Sequence, residues 1–339
     1  MARIGIIGCG GMGNMHTQAC LVSGAAEIAA VADERVESAE KLAKQANCEF
    51  MSSPEDLIRR DDVDAVMICT PTPSHYPLAM LALAQGKHLF VEKPLCRALA
   101  QAKELAAEAK KNNVVNQVGH VLRFWPEYVR LKEACADGRW GKLTSMKFVR
   151  TSAQPGWSAG NWLLNPELSG GAALDLHLHD TDMVLYLAGK PKAVVASGVK
   201  DYAGWRQIHT QYFYDGGPAV YAEGAWYEGE KYPFRMGFVA LFEKGVLDYD
   251  CTRPEPFLFY PKEGEPETPV LPDMPKTKPV EGINVTNLGG YLLQDAYFFK
   301  RLAGGEASPA AADFEAGCAA LQVVEAEIQS LEQREIVQV

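Results

Sequence analysis

Three stretches of the chain combine residue types and spacings that suit chemistry. Gly8-Cys9-Gly10-Gly11-Met12-Gly13 has the pattern G-x-G-x-x-G, Glu92-Lys93-Pro94 sets a lysine beside an acid, and "GGAALDLHLHDTD" (170–182) gathers two histidines and three aspartates among leucines. The glycine pattern follows an apolar run that starts at residue 3 and precedes a helical segment. In that setting Gly8 serves a tight turn, Gly10 lets the backbone approach a pyrophosphate, and Gly13 lets helix pack on strand. The amides of Gly11 and Met12 would then open a helix toward the phosphates. Asp33 lies 20 residues past Gly13, at the end of the second strand. A carboxylate there accepts hydrogen bonds from ribose hydroxyls and repels a 2′-phosphate, so NAD is favoured over NADP. Arg35, two residues on, keeps NADP open because a guanidinium accommodates that phosphate.

Lys93 ends the strand "HLFVEKP". Ligands of open α/β sheets bind outside the carboxyl ends of the strands, which would turn Glu92 and Lys93 toward the cofactor. Thr70, Pro71 and His75 end the previous strand and would line the same crevice. Pro94 biases Lys93 toward an extended backbone. Without such a crevice a strand-end lysine is simply a solvated charge.

Residues 170–182 read as a helix with Leu174, Leu178 and Leu185 on one face and Asp175, His179 and Asp182 at i, i+4 and i+7 on the adjacent one. His177 and His179 resemble a zinc pair, but residues two apart diverge on a helix and no third ligand cluster accompanies them, so no metal is expected. His177 is read as packed or hydrogen-bonded. Asp175 and His179 form either a helix ion pair or a proton-transfer set, and an upstream dinucleotide motif favours the second.

The elements that must position these residues follow two rhythms. The runs at 3–8, 26–33, 64–70, 87–92 and 113–119 read as strands buried on both faces, with alanine- and leucine-rich helices at 73–86 and 97–113. Alternation of this kind predicts an α/β fold, with an N-terminal Rossmann doubly wound parallel sheet over residues 1–123. Beyond it a helix at 126–138 leads to a succession of strands with turns such as "DGG" and "EKG". Residues 124–339 are therefore expected to form an α+β domain with a mostly antiparallel open sheet. Eight prolines between 254 and 279 exclude a central strand or helix there, and helical periodicity returns at about 287–303 and 310–333.

Composition sets the outer bounds. With 339 residues, 47% of them hydrophobic, the chain has enough apolar material for two cores. A net charge of −10 speaks against nucleic acid or an anionic membrane as partner. The eight cysteines show neither a C-x-x-C pair nor zinc-like spacing, and "MARIGIIGCGG" is too broken for a signal sequence. A cytoplasmic protein with reduced thiols is expected.

Taken together over nearly the whole chain, the glycine loop, "EKP" at 92–94 and "GGAALDLHLHDTD" resemble the glucose-fructose oxidoreductase, inositol dehydrogenase and rhizopine-catabolism family of NAD(P)-dependent oxidoreductases. The resemblance implies a second domain whose open sheet mediates a homodimer or homotetramer. It also places Lys93, Asp175 and His179 at the family's catalytic lysine, aspartate and histidine. Physical chemistry supplies a role for each. Oxidising a secondary alcohol requires a base at its hydroxyl, and His179, with a side chain that titrates near neutrality, suits it. Lys93 would stabilise negative charge on the same oxygen, and Asp175 would orient the substrate or the imidazole. Trp157, Asn161 and Trp162 suit a sugar-binding wall or equally core packing, and Arg123 joins the substrate-binding candidates. The expected substrate is a small carbohydrate, sugar acid or inositol. Two alternatives remain: retained NAD used in transient oxidation to cleave or isomerise glycosides, and a dinucleotide sensor without turnover, against which the intact Lys93, Asp175 and His179 argue.

Overall fold

The computed structural model describes residues 1–272, 274 and 288–339. In chain order the first elements are β1 (Ala2–Ile7), α1 (Gly11–Ser23), β2 (Ala26–Ala32), α2 (Val36–Ala46), β3 (Glu49–Met51), α3 (Pro54–Ile58), β4 (Ala65–Ile68), α4 (His75–Ala84), β5 (His88–Val91), α5 (Leu99–Lys111) and β6 (Asn116–Val118). Their strands form one parallel sheet in the order β3-β2-β1-β4-β5-β6. This is the doubly wound order expected of a Rossmann sheet, in which the sense of strand addition reverses between β1 and β4 while all strands stay parallel. All four residues of β4 are buried, as a central parallel strand requires.

The second series comprises α6 (Pro126–Asp137), β7 (Leu143–Ala153), α7 (Pro166–Ser169), α8 (Leu178–Ala188), β8 (Ala193–Asp201), β9 (Gly204–Phe213), β10 (Ala219–Tyr227), β11 (Arg235–Phe242), β12 (Gly245–Asp250) and β13 (Phe257–Pro261). The chain closes with α9 (Gly289–Leu302), α10 (Phe314–Gln333) and β14 (Val337–Gln338). The second sheet runs β13-β12-β11-β7-β10-β9-β8-β14, antiparallel except for the β10–β7 pair. The strand found inside the proline-rich stretch, β13, lies at the sheet's edge, where a missing N–H is tolerated. Pro275 and Pro279 fall outside the described residues.

Two compact units result, residues 1–124 with 274–318 and residues 125–273 with 319–339. This corrects the expectation that everything from 124 to 339 forms the second domain. Phe298 and Phe299 of α9 are buried in one core with Ile4, Ile6, Val31, Leu42, Met67 and Phe90. An amphipathic helix shows from its sequence that it needs a core, not which one.

Candidate active site

The glycine loop is built as its spacing implies. Gly8 has φ +93°, a conformation that side chains rarely adopt, and a Cβ there would lie 2.7 Å from the Cys69 carbonyl oxygen. A Cβ on Gly13 would lie 1.8 Å from the Gly8 carbonyl oxygen, whereas one on Gly10 would meet nothing within 4 Å. Gly13 thus closes helix on turn, and Gly10 leaves room for something other than protein. Helix α1 begins with no side-chain cap and no acid in its first turn, so the amides around Gly11 and Met12 present their partial positive charge without competition. A pyrophosphate fits these residues.

Asp33 supports the loop as well as bordering it. Its Oδ2 accepts from the Cys9 amide at 2.8 Å, and its Oδ1 accepts from the Arg35 amide at 2.9 Å and Nε at 3.3 Å. Oδ2, with one donor, keeps a lone pair for a ribose hydroxyl, while Oδ1 is engaged by both Arg35 donors. The Arg35 side chain is itself half exposed.

A pair of substitutions separates fold from binding. Gly10→Ala is expected to leave the thermal midpoint unchanged while weakening dinucleotide affinity by about tenfold or more, from loss of the backbone approach. Gly13→Ala is expected to lower stability by about 1–3 kcal/mol through overpacking. Calorimetric titration and thermal melts read both. Equal dinucleotide affinity in Gly10→Ala and the unmodified protein would mean that no phosphate passes there.

Lys93 is partly exposed and is joined to Pro94 by a cis peptide bond. The residues around it are occupied by the chain itself. Glu92, buried, accepts from the Lys93 amide through Oε2 at 3.1 Å, and its Oε1 lies 3.0 Å from His16 Nε2. His75, also buried, lies 2.9 Å from the Pro94 carbonyl through Nδ1 and 2.9 Å from the Thr70 carbonyl through Nε2. Burial pulls the His75 pKa down. His75 and Glu92, both expected to face the cofactor, therefore act as struts for the loops that carry Thr70, Pro71 and Lys93. Pro71 is exposed and Thr70 partly so. Arg123 is buried in the first unit, its Nη1 3.5 Å from the Pro309 carbonyl.

The stretch 170–182 resolves into two classes of side chain. Residues Ala173–His177 form a π turn that runs into α8. Asp182, expected on one face with Asp175 and His179, is fully buried, whereas those two are partly exposed. Asp180 is buried in a bidentate pair with Arg150 (Nε–Oδ2 3.1 Å, Nη2–Oδ1 3.1 Å), and Arg150 Nη2 also reaches the Tyr128 hydroxyl at 3.3 Å. Burial pushes the Asp180 carboxyl up, and the Arg150 charge pulls it back.

His177 is buried with Nε2 3.1 Å from Thr210 Oγ1 and 3.2 Å from Glu327 Oε2. Burial alone would lower its pKa, but the Glu327 carboxylate outweighs that and raises it. Gly224 makes the room, since a Cβ on it would lie 2.7 Å from that of His177. Of the five titratable residues in the stretch, only Asp175 and His179 reach the surface.

In the preceding loop Trp157 is 63% exposed and Asn161 is exposed with φ 54°, while Trp162 packs against the buried cluster of Leu163, Ala172, Leu176, Ala203 and Trp226. Trp162 belongs to the core, and Trp157 with Asn161 offers an indole face and an amide to solvent. Arg150, Tyr128, Glu327 and Asp295 carried no local signal. His16, set among Asn14, Thr17 and Gln18 in α1, reads locally as one more polar side chain.

Similarity to known proteins follows the two units. The model of an oxidoreductase family with an NAD-binding Rossmann fold, GFO/IDH/MocA, matches residues 2–120, and a C-terminal domain model of the same family matches residues 128–248. Myo-inositol 2-dehydrogenase of Thermotoga maritima is 32% identical over 189 residues, 56% of this chain and 55% of that protein. The NAD(+)-dependent scyllo-inositol 2-dehydrogenase of Bacillus subtilis is 32% identical over 190 residues, 55% of this chain and 54% of that protein. The matched segment spans about half the length of these curated relatives. Among solved structures, a levoglucosan dehydrogenase in complex with NADH and levoglucosan superposes with a TM-score of 0.86 at 21% identity, covering 100% of this chain and 99% of that one. That likeness is one of fold.

Proposed function

Since the chain belongs to the GFO/IDH/MocA family of oxidoreductases, with an NAD-binding Rossmann fold in its first unit, we propose that it transfers a hydride between NAD and a secondary hydroxyl of a sugar, sugar acid or inositol. The observation that carries this is the sorting of the 170–182 stretch, where three of five titratable side chains are buried and Asp175 and His179 are left partly exposed.

Bound NAD supplies the hydride acceptor. His179 takes the hydroxyl proton as the C–H bond breaks, since the alcohol oxygen becomes far more acidic as carbonyl character develops. Lys93 donates to that oxygen and stabilises its growing negative charge. Asp175 orients substrate or imidazole, and Trp157 with Asn161 contacts C–H surface and hydroxyls of the ring. Asp33 accepts from the adenosine ribose and selects NAD over NADP. The protein is read as cytoplasmic and as a homodimer or homotetramer joined through the large sheet's outward side, where Tyr221, Val239, Leu241 and Tyr260 are exposed.

Absorbance of reduced nicotinamide tests the reading, with NAD and NADP offered in turn alongside inositols, sugars and sugar acids. A signal with NAD and one such class is expected. Calorimetric binding of NAD with no absorbance change on any of them would refute a dehydrogenase with exchangeable cofactor.

A further inference from the structure

Beneath Lys93 lies a buried chain of ionisable groups drawn from three distant segments of the first unit. His16 of α1 is fully buried, with Nδ1 2.8 and 3.0 Å from the two oxygens of Asp295 on α9 and Nε2 3.0 Å from Glu92 Oε1 at the end of β5. With both carboxyls ionised, a protonated imidazole donates from Nδ1 to Asp295 and from Nε2 to Glu92. Burial works against the charged imidazole, but Asp295 and then Glu92 outweigh it, and the His16 pKa rises to about 10. Three buried ionisable groups are expensive to desolvate, and hydrophobic side chains of similar volume would hold the helices together at less cost.

The far end of the chain shows what the cost accompanies. The second oxygen of Glu92 accepts the Lys93 amide at 3.1 Å. Gly119 makes the room for this carboxyl, since a Cβ on it would lie 2.7 Å from Oε1, 2.9 Å from Cδ and 3.0 Å from Oε2. On the other side of Lys93, His75 bonds the Pro94 carbonyl. The backbone of Lys93 is thus held from both directions, once through a route that ends at Asp295, 202 residues later in the chain.

We propose that His16 and Asp295 are positioning residues for Lys93, fixing the Glu92 carboxyl that in turn fixes the lysine's backbone. The proposal rests on the reading that Lys93 touches the reacting oxygen. His16→Gln breaks the chain, and Asp295→Asn is the gentler variant should the first fail to fold. Each is made alone and with Lys93→Met, and assayed on the substrate class found by the absorbance screen. Misplacement of a catalytic group lowers kcat by about 10- to 100-fold.

That loss is expected in His16→Gln, with a smaller one in Asp295→Asn and unchanged NAD affinity in both. Neither should lower kcat further once Lys93 is methionine, because the effects run through one group. Independently of any substrate, the Lys93 amide should exchange with solvent about tenfold faster in His16→Gln. Losses that multiply in the Lys93→Met background, or an unchanged exchange rate, overturn the proposal. If Lys93→Met destroys turnover and His16→Gln does not, the proposal alone falls. Wild-type turnover in Lys93→Met removes the functional reading and the proposal together.

Discussion

His179→Ala is expected to lower kcat by about 10²- to 10⁴-fold, the range that loss of a positioned general base produces. Affinity for NAD should not change, because the dinucleotide candidates all lie on the first unit and His179 lies on the second. His177→Ala, by contrast, should act through stability, since its ring is buried against Thr210 and Glu327. Steady-state kinetics, together with melts of both variants, make the comparison. Retention of more than about a tenth of kcat in His179→Ala would rule out the base assignment.

The largest expected loss of stability comes from Arg150→Ala. It leaves the fully buried Asp180 carboxylate without its bidentate partner, and breaking a buried pair from one side costs about 3–5 kcal/mol. Removing both charges together should cost much less: Arg150→Met with Asp180→Leu fills similar volume and leaves no uncompensated charge. Urea unfolding of the two variants gives the difference directly. A loss below about 1 kcal/mol in Arg150→Ala would show that water reaches Asp180 and that the pair contributes no more than a surface one.

Much of the fold was legible in the sequence because it is written locally. The strand of residues 3–8, the three glycines and Asp33 lie within one βαβ unit, and nearby spacing determines their geometry. What could not be read depends on distant partners. Asp175 and Asp180 look alike within "LDLHLHD", and only Arg150, on a strand 30 residues earlier, makes one of them a core residue. The π turn is a backbone choice that a leucine period does not reveal, and the burial of Asp182 beside the partly exposed His179 is equally unmarked in the local sequence. Likewise β3, three residues long at the sheet's edge, is too short to show any period.

The division of the first unit into residues 1–124 and 274–318 has a consequence for how the protein is made. A ribosome releases β1 to β6 well before it has polymerised α9, and at about 5–20 residues per second the wait is on the order of ten seconds. Throughout that interval Phe90, Ile4 and Ile6 lack the aromatic cover of Phe298 and Phe299, and His16 lacks Asp295. The nascent Rossmann sheet is then an incomplete folding unit with apolar surface exposed, an early substrate for holdase chaperones. Chains terminated anywhere before α9 should remain in that state however well their strands pair.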